Sequence, residues 1–343
     1  MTDELEMITA PKKGFELGLV LGKHGRQTVH EKLIHEPFWK HVQNHAQSDL
    51  VRQLEKKTAE YFPDIHDELK GLAEGLDLPF ESVFAWNCRG DILVNSPDGC
   101  TTLQIPGSPI MIAHNEDGLP SLDQTCFLID CAEESGFTSF CYPGSIPGHS
   151  FAWTRSGLAI TINNIRLIGF TPVVPRMILA RVVLNCQDLD AAVELLERHI
   201  LSGGFHYSIA QIGRAEFLSI EHGGGNCHIT NIQTPTGHAN HVSTVACDKQ
   251  LITQSSEDRY ARTQELLQQF SQSPLDILRD KAKDKLPIWR REDDDPDDEN
   301  TIASAIFNVG NDELSWQIYS GSSRELLHSG RMTIPTRRSL QPE

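Results

Sequence analysis

Asp98-Gly99-Cys100-Thr101-Thr102 sets a thiol between a turn-forming Asp-Gly pair and the start of a β-rich segment. A cysteine attacks as its thiolate, and a free thiol with a pKa near ~8.5 is mostly protonated at neutral pH, so it needs a base beside it. Cleavage of the Gly99–Cys100 bond would supply one. Cys100 would then carry an α-amine, whose pKa of roughly 7.7–8.0 suits general-base work. Nucleophile and base would belong to one residue. Glycine ahead of the cysteine leaves its carbonyl unobstructed and tolerates strain at a bond meant to break. The competing reading is an inert buried thiol that opens a strand.

Other chemistries are thinly represented. His41 and His45 have helical i,i+4 spacing but lack the glutamate of metalloprotease motifs. His238 and His241 sit in a strand-like stretch, where positions three apart face opposite sides. No metal site is expected. "GGGNC" (223–227) lacks the lysine of a phosphate loop and reads as a hairpin turn, and the glycines at 18, 22 and 25 miss dinucleotide spacing. There is no G-x-S-x-G, and a papain-like pairing could nominate any of 15 histidines as base.

Set in order along the chain, several segments resemble the acyl-coenzyme A:6-aminopenicillanic acid acyltransferase family, the self-cleaving N-terminal-nucleophile proteins also called peptidase family C45. "DGCTT" resembles the start of that family's mature large chain, and Asn115-Glu116-Asp117 in "HNEDG" resembles its N-x-D. "GLAITINN" is similar to its G-L-A-x-T-x-N-N segment, "GHANHV" to its H-x-N-H segment, and "NTIASAIFN" precedes the last hairpin as in the family. The resemblance implies roles. Cys100 would be the nucleophile in self-cleavage and turnover, Asp117 would hold its amine, and Asn240 would face the oxyanion of the tetrahedral intermediate. Asn164, Thr102 and Glu221 are candidate substrate-binding or bracing residues. The family's late arginine has no clear counterpart: Arg290, Arg291 and Arg324 compete for it. Thr154 also stands where a family-like asparagine is expected.

For the fold, the resemblance implies an α+β, four-layer αββα sandwich, a single domain cut into a small chain, 1–99, and an associated large chain, 100–343. Its expected reaction is amide hydrolysis through a Cys100 thioester, with no metal or cofactor. An acyl-CoA-dependent N-acyltransferase is the alternative within the family, and a non-catalytic binding module the alternative outside it.

Composition bounds the partners. Lys plus Arg is 30 against 47 Asp plus Glu, a formal charge of −17, which argues against nucleic acid and anionic membrane surfaces. No ~20-residue apolar run is present to span a bilayer, and residues 1–14 do not resemble a secretory signal. Eight scattered cysteines without a CxxC pair suit a reducing cytoplasm. A small-molecule amide is the expected partner, and a homo-oligomer stays open.

These residues need elements to hold them. Three- and four-residue apolar steps over 30–62 and 65–76 predict helices in the first hundred residues, followed by a short helix over 78–94. Short strands are expected at 101–105, 110–113, 125–130, 138–142 and 157–165. Two helices then occupy 176–200, the second capped by Asp188 or Asp190. Strands return over 206–244, a helix follows at 256–270, and a closing hairpin covers 301–321. The acidic run 291–300 reads as a solvated loop. Grouped rather than alternating elements predict antiparallel sheets with helices outside them, in one domain.

Overall fold

The computed structural model describes residues 5–97, 99–269, 272–281, 286–292 and 295–334. Asp98 of the predicted turn, Phe270 at the end of the predicted helix and Asp293-Asp294 of the acidic run lie outside them. The helices are α1 (Gly14–Glu31), α2 (Pro37–Gln43), α3 (Asp49–Tyr61), α4 (Pro63–Leu76), α5 (Phe80–Trp86), α6 (Arg89–Ile92), α7 (Arg176–Val183), α8 (Leu189–Arg198), α9 (Gln254–Gln269) and α10 (Pro274–Leu278). The strands are β1 (Met7–Thr9), β2 (Gly99–Ile105), β3 (Ile110–Gly118), β4 (Phe127–Asp130), β5 (Phe137–Cys141), β6 (Phe151–Thr154) and β7 (Leu158–Ile165). They continue as β8 (Gly204–Gln211), β9 (Phe217–Gly223), β10 (Asn226–Asn231), β11 (Thr236–His238), β12 (Asn300–Val309), β13 (Glu313–Ser320) and β14 (Leu326–Thr333).

The strands form two sheets, one in the order β1-β4-β5-β6-β7-β8-β9-β10 and the other β11-β2-β3-β12-β13-β14. Every pairing is antiparallel except β1 with β4. Between the sheets Trp153 stacks on Trp316 with centroids 4.4 Å apart, and Phe151 meets Phe307 edge-on. Outside the first sheet, α1 sets His24 on Phe127 and α7 sets Arg181 over Phe137. Outside the second, α9 and α10 reach Cys100 and Asn115 respectively. The order is helix, sheet, sheet, helix, the αββα sandwich expected.

Two local features explain why the helical layer sits close. A Cβ on Gly18 would fall 1.7 Å from Glu68 O, and one on Gly71 1.9 Å from Phe15 O, so α1 and α4 pack backbone to backbone. The glycines at 18 and 22 serve this contact, not a nucleotide. Asp188 caps α8 through Ala191 N at 2.8 Å, whereas Asp190 binds Arg214. Val83 and Phe84, ahead of the Gly99–Cys100 bond, share one apolar core with Phe127 and Phe140 behind it. No helix among the described residues is long and apolar enough to cross a membrane.

Three expectations change. β3 runs on to Gly118, past its expected end at 113, and so contains the N-x-D. The closing hairpin gains a third strand, β14, and a separate strand, β6, precedes β7. The acidic run is not a solvated loop: Asp295, Asp297 and Glu299 fold back onto buried Arg290.

Candidate active site

Cys100 sits at the second position of β2, only 3% exposed. Strand alternation points its side chain and those of Thr102 and Gln104 between the sheets. Gln104 bonds Ser208 of β8 at 3.0 Å, and the Thr102 hydroxyl lies 2.6 Å from Asn163 Oδ1 of β7. The register pairs Cys100 with Glu116 and Thr102 with His114, so the same cleft receives both β3 side chains. Cys100 Sγ donates to Glu116 Oε2 at 3.7 Å, His114 Nε2 lies 3.1 Å from that oxygen, and Tyr142 OH donates to Oε1 at 2.9 Å. Burial, then the Glu116 and Asp117 carboxylates, push the Cys100 thiol well above its ordinary range. Burial drops the His114 imidazole to about 3, leaving it neutral. Cys100, His114 and Glu116 each bring one donor atom within 4.8 Å of the other two.

The cysteine backbone is held from the other side. Cys100 N donates to Asn240 Oδ1 at 3.1 Å, and Asn240 Nδ2 donates to Asn164 O at 3.1 Å. Arg259 of α9, fully buried, spans the group: its guanidinium reaches Cys100 O at 2.5 Å, Thr101 Oγ1 at 2.9 Å and Asn240 Oδ1 at 2.6 Å. Asn240 N in turn binds Ser256 Oγ of the same helix at 2.9 Å. Burial, then Arg290, hold the Arg259 pKa below the usual arginine value.

Gly99 pairs with Asp117 across β2 and β3. Asp117 Oδ1 accepts from Thr301 Oγ1 at 2.7 Å, while its buried Oδ2 has no hydrogen-bond partner among the described residues. Burial raises the Asp117 pKa, against the pull of Arg290 and Arg259. A Cβ at Gly99 would land 1.9 Å from Glu299 Oε2 and 2.8 Å from Arg290 Nη1. The glycine is therefore demanded by a buried ion pair resting on it. Glu299 also takes Arg166 Nη2 at 3.4 Å, and Arg166 holds Ser96 O at 3.0 Å, so the segment before the bond is fastened too. Beside it opens a cleft of about 300 Å³ whose walls include Phe38, His41, Ser96, Leu119 and Arg166.

The structure thus gathers Gly99, Cys100, Asp117, Asn164 and Asn240. The Asn164 side chain holds Arg176 and Ser96 Oγ. The Thr102 hydroxyl is spent between His114 and Asn163. Glu221 is neither at a solvated strand end nor free for an amine, since its oxygens take His238 Nε2 at 3.0 Å and Ser243 N at 2.6 Å. Burial acts to raise its pKa, but the His238, Ser243 and Thr244 donors hold it well below the usual carboxylate range. His238 stacks on His206 with centroids 3.5 Å apart. Of the three arginines, Arg290 belongs to the cluster, Arg291 binds Asp123, and exposed Arg324 binds Asp276 away from the site. Thr154 bonds Ser156. Sequence patterning does not single out Arg259, Glu116, His114 or Glu299. Extending the strand through 114–117 is the signal that would have set His114 and Glu116 opposite Cys100.

A buried, base-flanked thiol at a strand start within an αββα sandwich defines the class: an enzyme that cleaves or transfers at amides. The family model for acyl-coenzyme A:6-aminopenicillanic acid acyl-transferase matches residues 105–325, and the chain belongs to that family. The matched span holds Asp117, Asn164, Asn240 and Arg259 and begins just past Cys100. Among curated proteins none matches. Among solved structures, penicillin V acylase from Agrobacterium tumefaciens is similar at 13% identity and a TM-score of 0.39, covering 66% of this chain and 84% of its own. A single-residue variant of conjugated bile acid hydrolase from Clostridium perfringens is similar at 9% identity and a TM-score of 0.40, covering 71% of this chain and 99% of its own.

Proposed function

We propose that this chain cuts its own Gly99–Cys100 bond and that the freed Cys100 then hydrolyses a small N-acyl or aminoacyl amide through a thioester. The observation that carries the reading is Asp117 Oδ2, without a hydrogen-bond partner among the described residues and buried across the strand pair from Gly99. Self-cleavage would create an α-ammonium at Cys100, the charge-assisted donor that such an oxygen lacks. The nitrogen concerned is already held by Asn240 Oδ1.

In turnover, Cys100 Sγ bonds to the substrate's carbonyl carbon while its proton passes to the α-amine. The ammonium so formed protonates the departing amine as the C–N bond breaks. Water then cleaves the thioester, releasing the acid and restoring the thiol. Asn240 serves the oxyanion once its Nδ2 exchanges the Asn164 carbonyl for the substrate oxygen, a donor worth about 10²–10³ in rate. The cleft beside Ser96 and Arg166 is where substrate would enter when the new small-chain terminus withdraws. An amine in place of water would make the same thioester an acyl-transfer intermediate, with acyl-CoA as donor. Hydrolysis is favoured because the sequence carries no separate CoA-binding motif.

The test is a screen of aminoacyl-amines and N-acyl amino acids, with free amine as readout and acid-quenched mass of the large chain during turnover. Expected are amine release and an acyl adduct on Cys100, both absent in Cys100→Ala. A two-chain protein whose thiol no compound acylates would favour the binding module instead.

A further inference from the structure

The α-amine cannot serve as base for the cleavage that creates it. In the intact chain the Cys100 nitrogen is an amide, with its proton committed to Asn240 Oδ1 at 3.1 Å and no basic lone pair. Some other group must take the thiol proton, and the described residues offer few. Asp117 is excluded by strand alternation, because it projects from the face of β3 opposite Glu116 and bonds Thr301. Arg259 is a cation on the Cys100 carbonyl. His114 approaches Glu116 rather than the thiol and is held neutral by burial.

We infer that Glu116 is a catalytic residue of the self-cleavage step, its Oε2 taking the proton from Cys100 Sγ as the sulfur attacks Gly99. The inference rests on the self-cleavage of the proposed function and adds to it the base that step requires. Glu116 Oε2 accepts from Sγ at 3.7 Å, long for general-base transfer and closing as the sulfur is engaged. The Tyr142 hydroxyl donates to the other carboxylate oxygen, and the His114 ring packs 3.1 Å from Oε2. The step balances. An Sγ–C bond forms to Gly99, the proton rests on Glu116, and the Gly99–Cys100 C–N bond breaks. That proton is then returned to the leaving nitrogen, which becomes the α-amine, and water hydrolyses the Gly99 thioester. Glu116 is thereby ionised again, and in later turnovers the α-amine takes over its task.

Self-cleavage of the full-length chain is followed by intact mass against pH, with Cys100→Ala as the uncleavable control. Wild type should cleave on a rising pH limb set by one carboxyl group. Glu116→Gln should slow cleavage on the order of 10²–10⁴-fold and abolish that limb, while Glu116→Asp should restore part of the rate. Tyr142→Phe deletes a donor that stabilises the carboxylate, so it should move the limb to higher pH. A packing role would not move it, and this variant keeps the test open if Glu116→Gln does not fold. A folded Glu116→Gln chain that cleaves within threefold of wild type, or an unmoved limb in Tyr142→Phe, overturns the role of Glu116 alone. A wild-type chain that never cleaves overturns the proposed function with it.

Discussion

Arg259 donates to the carbonyl oxygen of Cys100 at 2.5 Å from 159 residues further along the chain. The same guanidinium holds Asn240 Oδ1 at 2.6 Å, so one planar fork ties β2, the H-x-N-H segment and α9 together around the nucleophile. Arg259→Met would take one donor from the buried Cys100 carbonyl and one from Asn240 Oδ1, which would keep only the Cys100 N–H. We predict a loss of about 1–3 kcal/mol in denaturant unfolding, the usual cost of leaving a buried polar group short of a partner. Arg259→Lys should recover less than half of it, because one ammonium cannot reach Cys100 O, Thr101 Oγ1 and Asn240 Oδ1 together.

Gly99 is constrained by Glu299 and Arg290. The methyl of Gly99→Ala would overlap Glu299 Oε2, so either the ion pair or the strand start must move. Expected are a destabilisation of about 1–3 kcal/mol, as for other overpacked sites, and slower self-cleavage. Combining it with Glu299→Ala, which empties the space, should relieve part of the overlap. Intact mass against time reads the cleavage, and urea melts of a Cys100→Ala background read the stability.

How much of this was legible in sequence depends on what each residue type announces. Cys100, Asp117 and Asn240 stand in short, ordered segments, and the structure gathers all three. Arg259 announces nothing: it lies in QSSEDRYARTQELLQQ, a polar helix whose arginine reads as solvated until α9 is laid on β2. The acidic run misleads for the converse reason, since charge density signals water unless a buried cation such as Arg290 lies beneath it. The long helix over Gly14–Glu31 lies ahead of the apolar steps counted from residue 30, and its glycines serve close helix packing. The αββα layering came from the family resemblance; element order by itself pointed only to antiparallel sheets with helices outside them.

The small chain should stay bound after cleavage. Arg181 of α7 donates to Glu68 of α4 at 3.0 Å and to Lys12 O at 2.9 Å, across the two pieces, with both charged side chains fully buried. Glu68→Ala leaves that guanidinium unpaired and is predicted to cost about 3–5 kcal/mol. Size-exclusion chromatography of cleaved wild type should show both chains in one peak, and Glu68→Ala should shed the small chain at lower denaturant.

Acid should weaken the fold through buried imidazoles. Burial holds His222 at about 4, against the Leu196 carbonyl that favours its charge. Between the unfolded value near ~6.5 and the folded value the unfolded chain binds the extra proton, so this contribution is full above ~6.5 and drains as pH falls towards the folded value. His222→Asn should therefore differ most from wild type at neutral pH. That difference should shrink by up to about 3 kcal/mol on going to acid, read from urea midpoints across the range.

Catalysis by Cys100 depends on whether sulfur and base become one residue. Terminal-residue analysis of freshly purified wild-type protein tests this most directly. The account predicts a second polypeptide that begins at Cys100 with a free amine, matched by a fragment ending at Gly99. An uncut chain that turns over amide substrate at full rate would contradict it.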